Sequence, residues 1–113
     1  MEEHFRVRIE ADSIIVHLDG EVVMDMIQEC KMEMENLMAR DECREMVVDL
    51  SGVTFMDSSG IGFLIGLRRR AEAAGRRFSL RNPSPPIRKL LDMLKLSDFF
   101  SLPPVPEDAS PAM

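Results

Sequence analysis

Much of what would make this chain a membrane protein, a nucleic-acid binder or a metalloprotein is missing. No apolar run approaches the roughly 20 residues that span a bilayer. The opening Met1-Glu2-Glu3-His4 is acidic, unlike the basic front of a signal peptide. A cytoplasmic protein without membrane insertion is therefore expected. An excess of positive charge is missing as well. A formal net charge of −6 offers phosphate backbones no basic footprint, so no direct contact with nucleic acid is expected. Metal ligands are few. Cys30 and Cys43 lie far apart, with no His or Cys at ligand spacing, so a closed four-ligand zinc site is not expected. The two cysteines read as reduced, mostly buried thiols, because a cytosolic compartment disfavours a disulfide. His4 and His17 fall in expected strands without a partner and read as structural.

Catalytic motifs are absent too. Gly60-Ile61-Gly62-Phe63-Leu64-Ile65-Gly66 has the spacing G-x-G-x-x-x-G, one residue longer than the dinucleotide fingerprint. There is no second mononucleotide unit, no acidic ribose partner at the expected offset and no P-loop lysine. The hydrolase elbow G-x-S-x-G fails because Met56 stands at its first glycine. Ser58 has no histidine, itself oriented by a carboxylate, to serve as its base. No catalytic residue, metal or cofactor is expected, and the chain reads as a binding protein, not an enzyme.

What is present fits one domain of 113 residues. Residues 5–10 alternate apolar and polar side chains as a half-buried strand does. Residues 14–18 are richer in β-branched side chains and form the second arm of a hairpin, which Asp19-Gly20 breaks. From Val22 to about Arg40 the period becomes helical: Val23, Met26, Ile27, Cys30, Met34, Leu37 and Met38 share one face. These methionines read as core filler or as a soft binding groove. Residues 45–50 form a third strand, and Ser51-Gly52-Val53-Thr54 a loop or bulge. A second helix runs from about Ser58 to Ala74 and stops at Gly75, with Ile61, Leu64, Ile65, Leu67 and Ala71 inward. Residues 77–81 form a strand. Asn82-Pro83-Ser84-Pro85-Pro86 makes a rigid turn into a third helix, which buries Ile87, Leu90, Leu91 and Leu94. Phe99 and Phe100 anchor a short element after it.

The expected fold is α/β: a single-domain mixed β-sheet packed with helices, in the order β-β-α-β-α-β-α. Its strand–helix–strand units should cross over right-handed. The domain spans residues 1–102, and the Pro-rich tail 103–113 is expected to be extended and mobile. Arg68-Arg69-Arg70 with Arg76-Arg77 either complement a helix C-terminus or form a docking patch for an acidic partner.

The segment Asp57-Ser58-Ser59-Gly60 opens the second helix. Asp and Ser are preferred N-caps, yet a cap explains only one of them. Unsatisfied N–H groups at that helix start favour an anion, so a phosphate on one of these serines would sit at a favourable pole. Ser59, Gly62 and Gly66 form a small-residue strip at helical steps. Interior glycine costs a helix roughly 1 kcal/mol relative to Ala, so something should fit against the strip: a neighbouring strand or a partner protein.

From Val47-Val48-Asp49-Leu50-Ser51-Gly52-Val53-Thr54-Phe55-Met56 through Asp57-Ser58-Ser59-Gly60-Ile61-Gly62, the chain closely resembles the central motif of STAS domains of the anti-sigma-factor antagonist type. Asp19-Gly20-Glu21-Val22 is similar to that family's Gly-Glu segment, and the stretch from Asn82 to Leu91 to its turn and final helix. The resemblance implies a protein that binds an anti-sigma factor which is also a serine kinase, and so releases a sigma factor. It implies Ser58 as the phosphoacceptor, in an environment of Asp57, Ser59 and Gly60, and a phosphatase that reverses the modification. Glu21, Asp25, Met56, Ile61 and Gly62 are the implied partner-binding residues, and the protein is expected to be a monomer or weak dimer. One departure stands out: the family commonly carries an Asp where this chain has Val23. Other domains of the fold are never phosphorylated and act as scaffolds or as accessory subunits of transporter complexes.

Overall fold

A computed structural model describes residues 5–103. Seven elements follow in order: β1 (Phe5–Glu10), β2 (Ser13–Val22), α1 (Met24–Met38), β3 (Glu45–Met56), α2 (Ser58–Ala73), β4 (Arg77–Arg81) and α3 (Pro85–Met93). His4 and the tail beyond Pro103 lie outside the described residues. The sheet order is β1-β2-β3-β4. β1 runs antiparallel to β2, whereas β2, β3 and β4 are mutually parallel, so α1 and α2 are the crossover helices.

The β1–β2 hairpin turns through Ala11 at φ 55, and Glu10 pairs with Ser13. Period-two alternation then sorts the side chains. Ile14, Val16 and Leu18 of β2, Met46, Val48 and Leu50 of β3, and Leu80 of β4 join one core with Met26, Ile27, Cys30, Met34 and Met38 of α1. Leu64, Leu67 and Ala71 of α2 and Ile87 and Leu91 of α3 complete it. Burial pushes the Cys30 thiol up to about 11 and raises that of Cys43, so both stay protonated and inert at neutral pH.

Several expectations need correction. β1 is less buried than its alternation suggests: it is the sheet's edge, and Val7 and Ile9 are exposed. Asp19-Gly20 does not break β2. The strand continues to Val22 through register shifts between His17 and Asp19 and between Gly20 and Glu21, with Gly20 at φ 81. Ser51-Gly52-Val53-Thr54 is strand as well, because those residues pair with that irregular stretch of β2. The two bulged halves match each other. Asp19 lies opposite Gly52, and a Cβ there would press on the Asp19 carboxylate, which would have to swing aside to admit it. Leu94 is exposed, not buried, because α3 ends one residue before it and Lys95 turns the chain away at φ 59. Phe63, omitted from the expected inward face of α2, is buried, while Ile65 is only partly so.

Candidate functional site at the start of α2

β3 delivers the chain to the site, and Asp49 fixes its course. This carboxylate is 5% exposed. Its Oδ1 accepts from the Ser51 backbone N–H at 2.9 Å and from the Ser51 hydroxyl at 2.6 Å. Its Oδ2 accepts from Asn82 Nδ2 at 3.2 Å, with His17 Nδ1 3.9 Å away. Burial raises the Asp49 pKa, but the Ser51 and Asn82 hydrogen bonds and the nearby imidazole outweigh it, and the group titrates below the ordinary aspartate range. The structure thus gives His17 and Asp49 a shared structural role: they pin the strand where it bulges.

Just past the second register shift, β3 ends at Met56 and α2 begins at Ser58. Asp57 is the N-cap, in extended conformation, and its Oδ1 accepts from the Gly60 N–H at 3.1 Å. The Asp57 carbonyl accepts from Ile61 N–H at 3.1 Å, closing the first turn. Ser58 is the first helical residue and is exposed; Ser59 is half-buried. Gly60 is buried, and a Cβ there would meet Met56 Cγ at 2.5 Å and the Val22 carbonyl oxygen at 2.6 Å. The helix start is thus seated directly on the ends of β2 and β3. Asp57 satisfies one of the orphan N–H groups, and the Ser58 side chain is left free to face outward.

The parallel register brings a second helix start alongside. Glu21 pairs with Phe55 and Val22 with Met56, so the β2–α1 and β3–α2 junctions open on the same edge of the sheet. Glu21 is exposed at the end of β2, and Asp25 is exposed in the first turn of α1. Val23 is the α1 N-cap and makes no side-chain cap hydrogen bond. The position where the resemblance leads one to expect Asp is therefore a helix cap left unfilled.

Of the expected partner-binding residues, the structure brings Glu21, Asp25 and Gly62 to the surface, whereas Met56 and Ile61 are 4% and 8% exposed. Those two side chains belong to the core and support the site from beneath. Two exposed apolar side chains escaped the sequence reading, Met24 and Phe55, each 51% exposed. Phe55 was hidden because its segment reads as a loop. Read as a strand, Phe55-Met56 gives one side chain out and one in, which is the signal that could have found it.

Beside the serines, α1 and α2 enclose a groove of about 260 Å³. Met24, Ile27, Phe63 and Leu67 supply its apolar walls, and Ser59, Gly62 and Gly66 form its floor along α2. A Cβ at Gly62 or Gly66 would meet nothing within 4 Å. Among the described residues, no strand packs against these two glycines, so of the two occupants considered for the strip a partner protein is favoured. The arginines are mostly engaged within the chain. Arg68 lies over the Phe99 ring at 4.2 Å and near Glu72 at 3.3 Å. Arg70 pairs with Glu35 at 3.3 Å, and Arg76 donates to the Met38 and Arg40 carbonyls. Among the described residues, no helix is long and apolar enough to cross a membrane.

This architecture has counterparts. The STAS domain family model matches residues 4–109. An anti-sigma F factor antagonist of Paenibacillus polymyxa is 32% identical over 92 residues, covering 81% of this chain and 76% of that protein. The Bacillus cell fate determinant SpoIIAA, solved in its phosphorylated form, superposes with a TM-score of 0.68 at 25% identity over 83% of this chain and 86% of that one. An anti-sigma factor antagonist from Mycobacterium paratuberculosis shares the fold at a TM-score of 0.77 and 24% identity, over 93% and 88% of the two chains. A β-β-α-β-α-β-α sheet protein whose second parallel crossover opens on Asp57-Ser58-Ser59-Gly60, and whose family match runs almost end to end, belongs to the STAS domain family of non-enzymatic regulators.

Proposed function

We infer that this protein is an anti-sigma-factor antagonist whose binding surface is switched by phosphorylation of Ser58. In this reading it acts in the cytoplasm, takes an anti-sigma factor with serine-kinase activity as its partner, and is restored by a phosphatase. The observation that carries the reading is the exposure of Ser58 at the first position of α2, beside a cap that already holds the loop. An incoming phosphoryl group can reach that hydroxyl without any movement of the core.

A phosphoserine carries about −1.5 to −2 charges at neutral pH. The α2 N-terminus favours such a charge by roughly 0.3–1 kcal/mol, and Asp57 beside it opposes it. These terms partly offset one another, so the fold is retained. The interface bears the larger effect. Exposed Phe55 and Met24 and the apolar groove flank Ser58's end of the sheet. A dianion there costs a partner's apolar or acidic surface several kcal/mol unless it is paired.

The test is incubation with the cognate kinase and ATP, read by intact mass and peptide mapping. One phosphate is expected, and Ser58→Ala should abolish it. Phosphate found only at another residue would sink the assignment. Ser58→Asp should weaken partner binding with almost no change in Tm.

A second reading is a module that is never phosphorylated, a scaffold or the accessory subunit of a transporter complex. The unfilled α1 cap at Val23 favours it, since that position departs from the family pattern beside the serines. It predicts unmodified Ser58 and co-purification with a membrane complex.

A further inference from the structure

We propose that β1 is a self-complementary edge through which two copies of this chain pair as a weak, two-fold symmetric dimer with one continuous eight-stranded sheet. β1 ends the sheet order, so half of its N–H and C=O groups face outward. Edge strands are ordinarily blunted by charge or kept short of apolar surface. This one carries a strip that no described residue covers: Val7 is 38% and Ile9 53% exposed. Their register partners, Val16 and Ile14, are fully within the core. The strip is the margin of the core, one strand beyond the helices' reach.

A two-fold axis normal to the sheet keeps both helix layers on one side and pairs residues of like face. Centred on Arg8, it sets Val7 against the partner's Ile9 and Arg6 against the partner's Glu10, twice each. Apolar meets apolar, and cation meets anion. Arg8 meets its own copy at the axis, where each guanidinium already lies 2.9 Å from its own Glu10. Arg6 also lies 3.3 Å from Asp19, so four arginines face four carboxylates across the junction. Other registers fail. Centring on Val7 opposes Arg6 to Arg8 twice and gives no cation–anion pair, whereas centring on Arg8 has one arginine pair and two cation–anion pairs. A one-residue slip sets Val7 and Ile9 against charged side chains. Centring on Ile9 drags the Ala11-Asp12 turn into the ladder.

The far edge does not compete. Self-pairing of β4 would put Arg77 against Arg81, like charge on like. Pairing β1 to β4 sets arginine-bearing edges together and would grow an open filament. A single strand pair buries less than the ~1,000 Å² that stable interfaces clear, so the association is weak and concentration-dependent.

Sedimentation from about 10 μM to about 1 mM should show the mean mass rising towards twice the monomer's. Arg6→Glu should weaken association at least about ten-fold, one factor of ten being 1.4 kcal/mol, and Arg6→Glu with Glu10→Arg should restore it. Mild oxidation should cross-link Arg8→Cys at the axis, where facing Cβ atoms come close enough for a disulfide. Met32→Cys, more accessible still at 73% exposure on α1, should not cross-link, and the native cysteines are buried. A mass that stays monomeric throughout, with Arg8→Cys no faster than Met32→Cys, overturns the proposal. So does a dimer whose charge reversal is not rescued by the second reversal, since it would use another face. None of these readouts depends on phosphate at Ser58, so the switch and the dimer can fail separately.

Discussion

Two helices begin side by side at the same edge of the sheet, and they begin differently. α2 is locked: Asp57 caps it, Gly60 seats it against Val22 and Met56, and β3 reaches it by a bulge that Asp49 holds. α1 starts at Val23 with no side chain on its first N–H groups and an exposed Met24 in its opening turn. Under the proposed function, the serine to be modified is carried by the capped start, while the neighbouring start, which would only offer surface, lacks a side-chain cap. Local stability thus divides between them, although both are built from the same pair of parallel strand ends.

The sharpest way to break the contrast is Gly60→Ala. Its Cβ would press on a backbone carbonyl, which cannot swing aside, and a loss of about 2–3 kcal/mol in urea unfolding is expected. Next comes Asp49→Asn, which weakens the anchor of the bulge and should cost about 1–3 kcal/mol at neutral pH. The pH dependence has a definite sign. Folded Asp49 titrates below the unfolded value, so its contribution is complete above the ordinary aspartate pKa of about 3.9 and is lost as pH falls through the lower folded pKa. Thermal unfolding followed downward from pH 5 should therefore converge for wild type and Asp49→Asn. Parallel curves would remove Asp49 from the acid transition.

Asp57→Ala should cost about 1 kcal/mol, the usual worth of a cap, and should also blur the position of Ser58. Val23→Asp is the opposite experiment. Filling the empty cap, in backbone already extended at φ −127, should raise stability by up to about 1 kcal/mol and erase the asymmetry. The gentlest probe is Gly66→Ala. Nothing lies within 4 Å of the added methyl, so α2 should gain just under about 1 kcal/mol while the groove that Gly66 floors narrows. Tighter folding together with weaker partner binding would mark the strip as partner surface; unchanged binding would remove it from that role.

The elements legible in the sequence were those whose signals are local. The β1 and β4 boundaries, the α2 stop at Gly75 (φ 75) and most of the inward face of α1 follow from period and terminators; the inward face of α2 did so only in part, since Phe63 was missed. Of the site, the helix start at Asp57-Ser58-Ser59-Gly60 was legible because a helix start announces itself in three residues, but which residue caps it was decided by the fold. The Ser51–Thr54 stretch was not. Ser-Gly-Val-Thr reads as a turn until β2's own irregularity at Asp19-Gly20 lies beside it and takes up its hydrogen bonds. Phe55 stayed hidden for the same reason.

The sequence alone, through its periodicities, its caps and the Asp-Ser-Ser-Gly opening, determined the order of elements and the serine that starts α2. These depend on forces acting within a turn or two of chain. Only the tertiary structure decided that β2 and β3 bulge together, that Met56 and Ile61 face inward while Phe55 and Met24 face out, and that Val7 and Ile9 are left bare at the edge. Each of those outcomes depends on which strand lies next to which, and that is set by burial of the whole core at once.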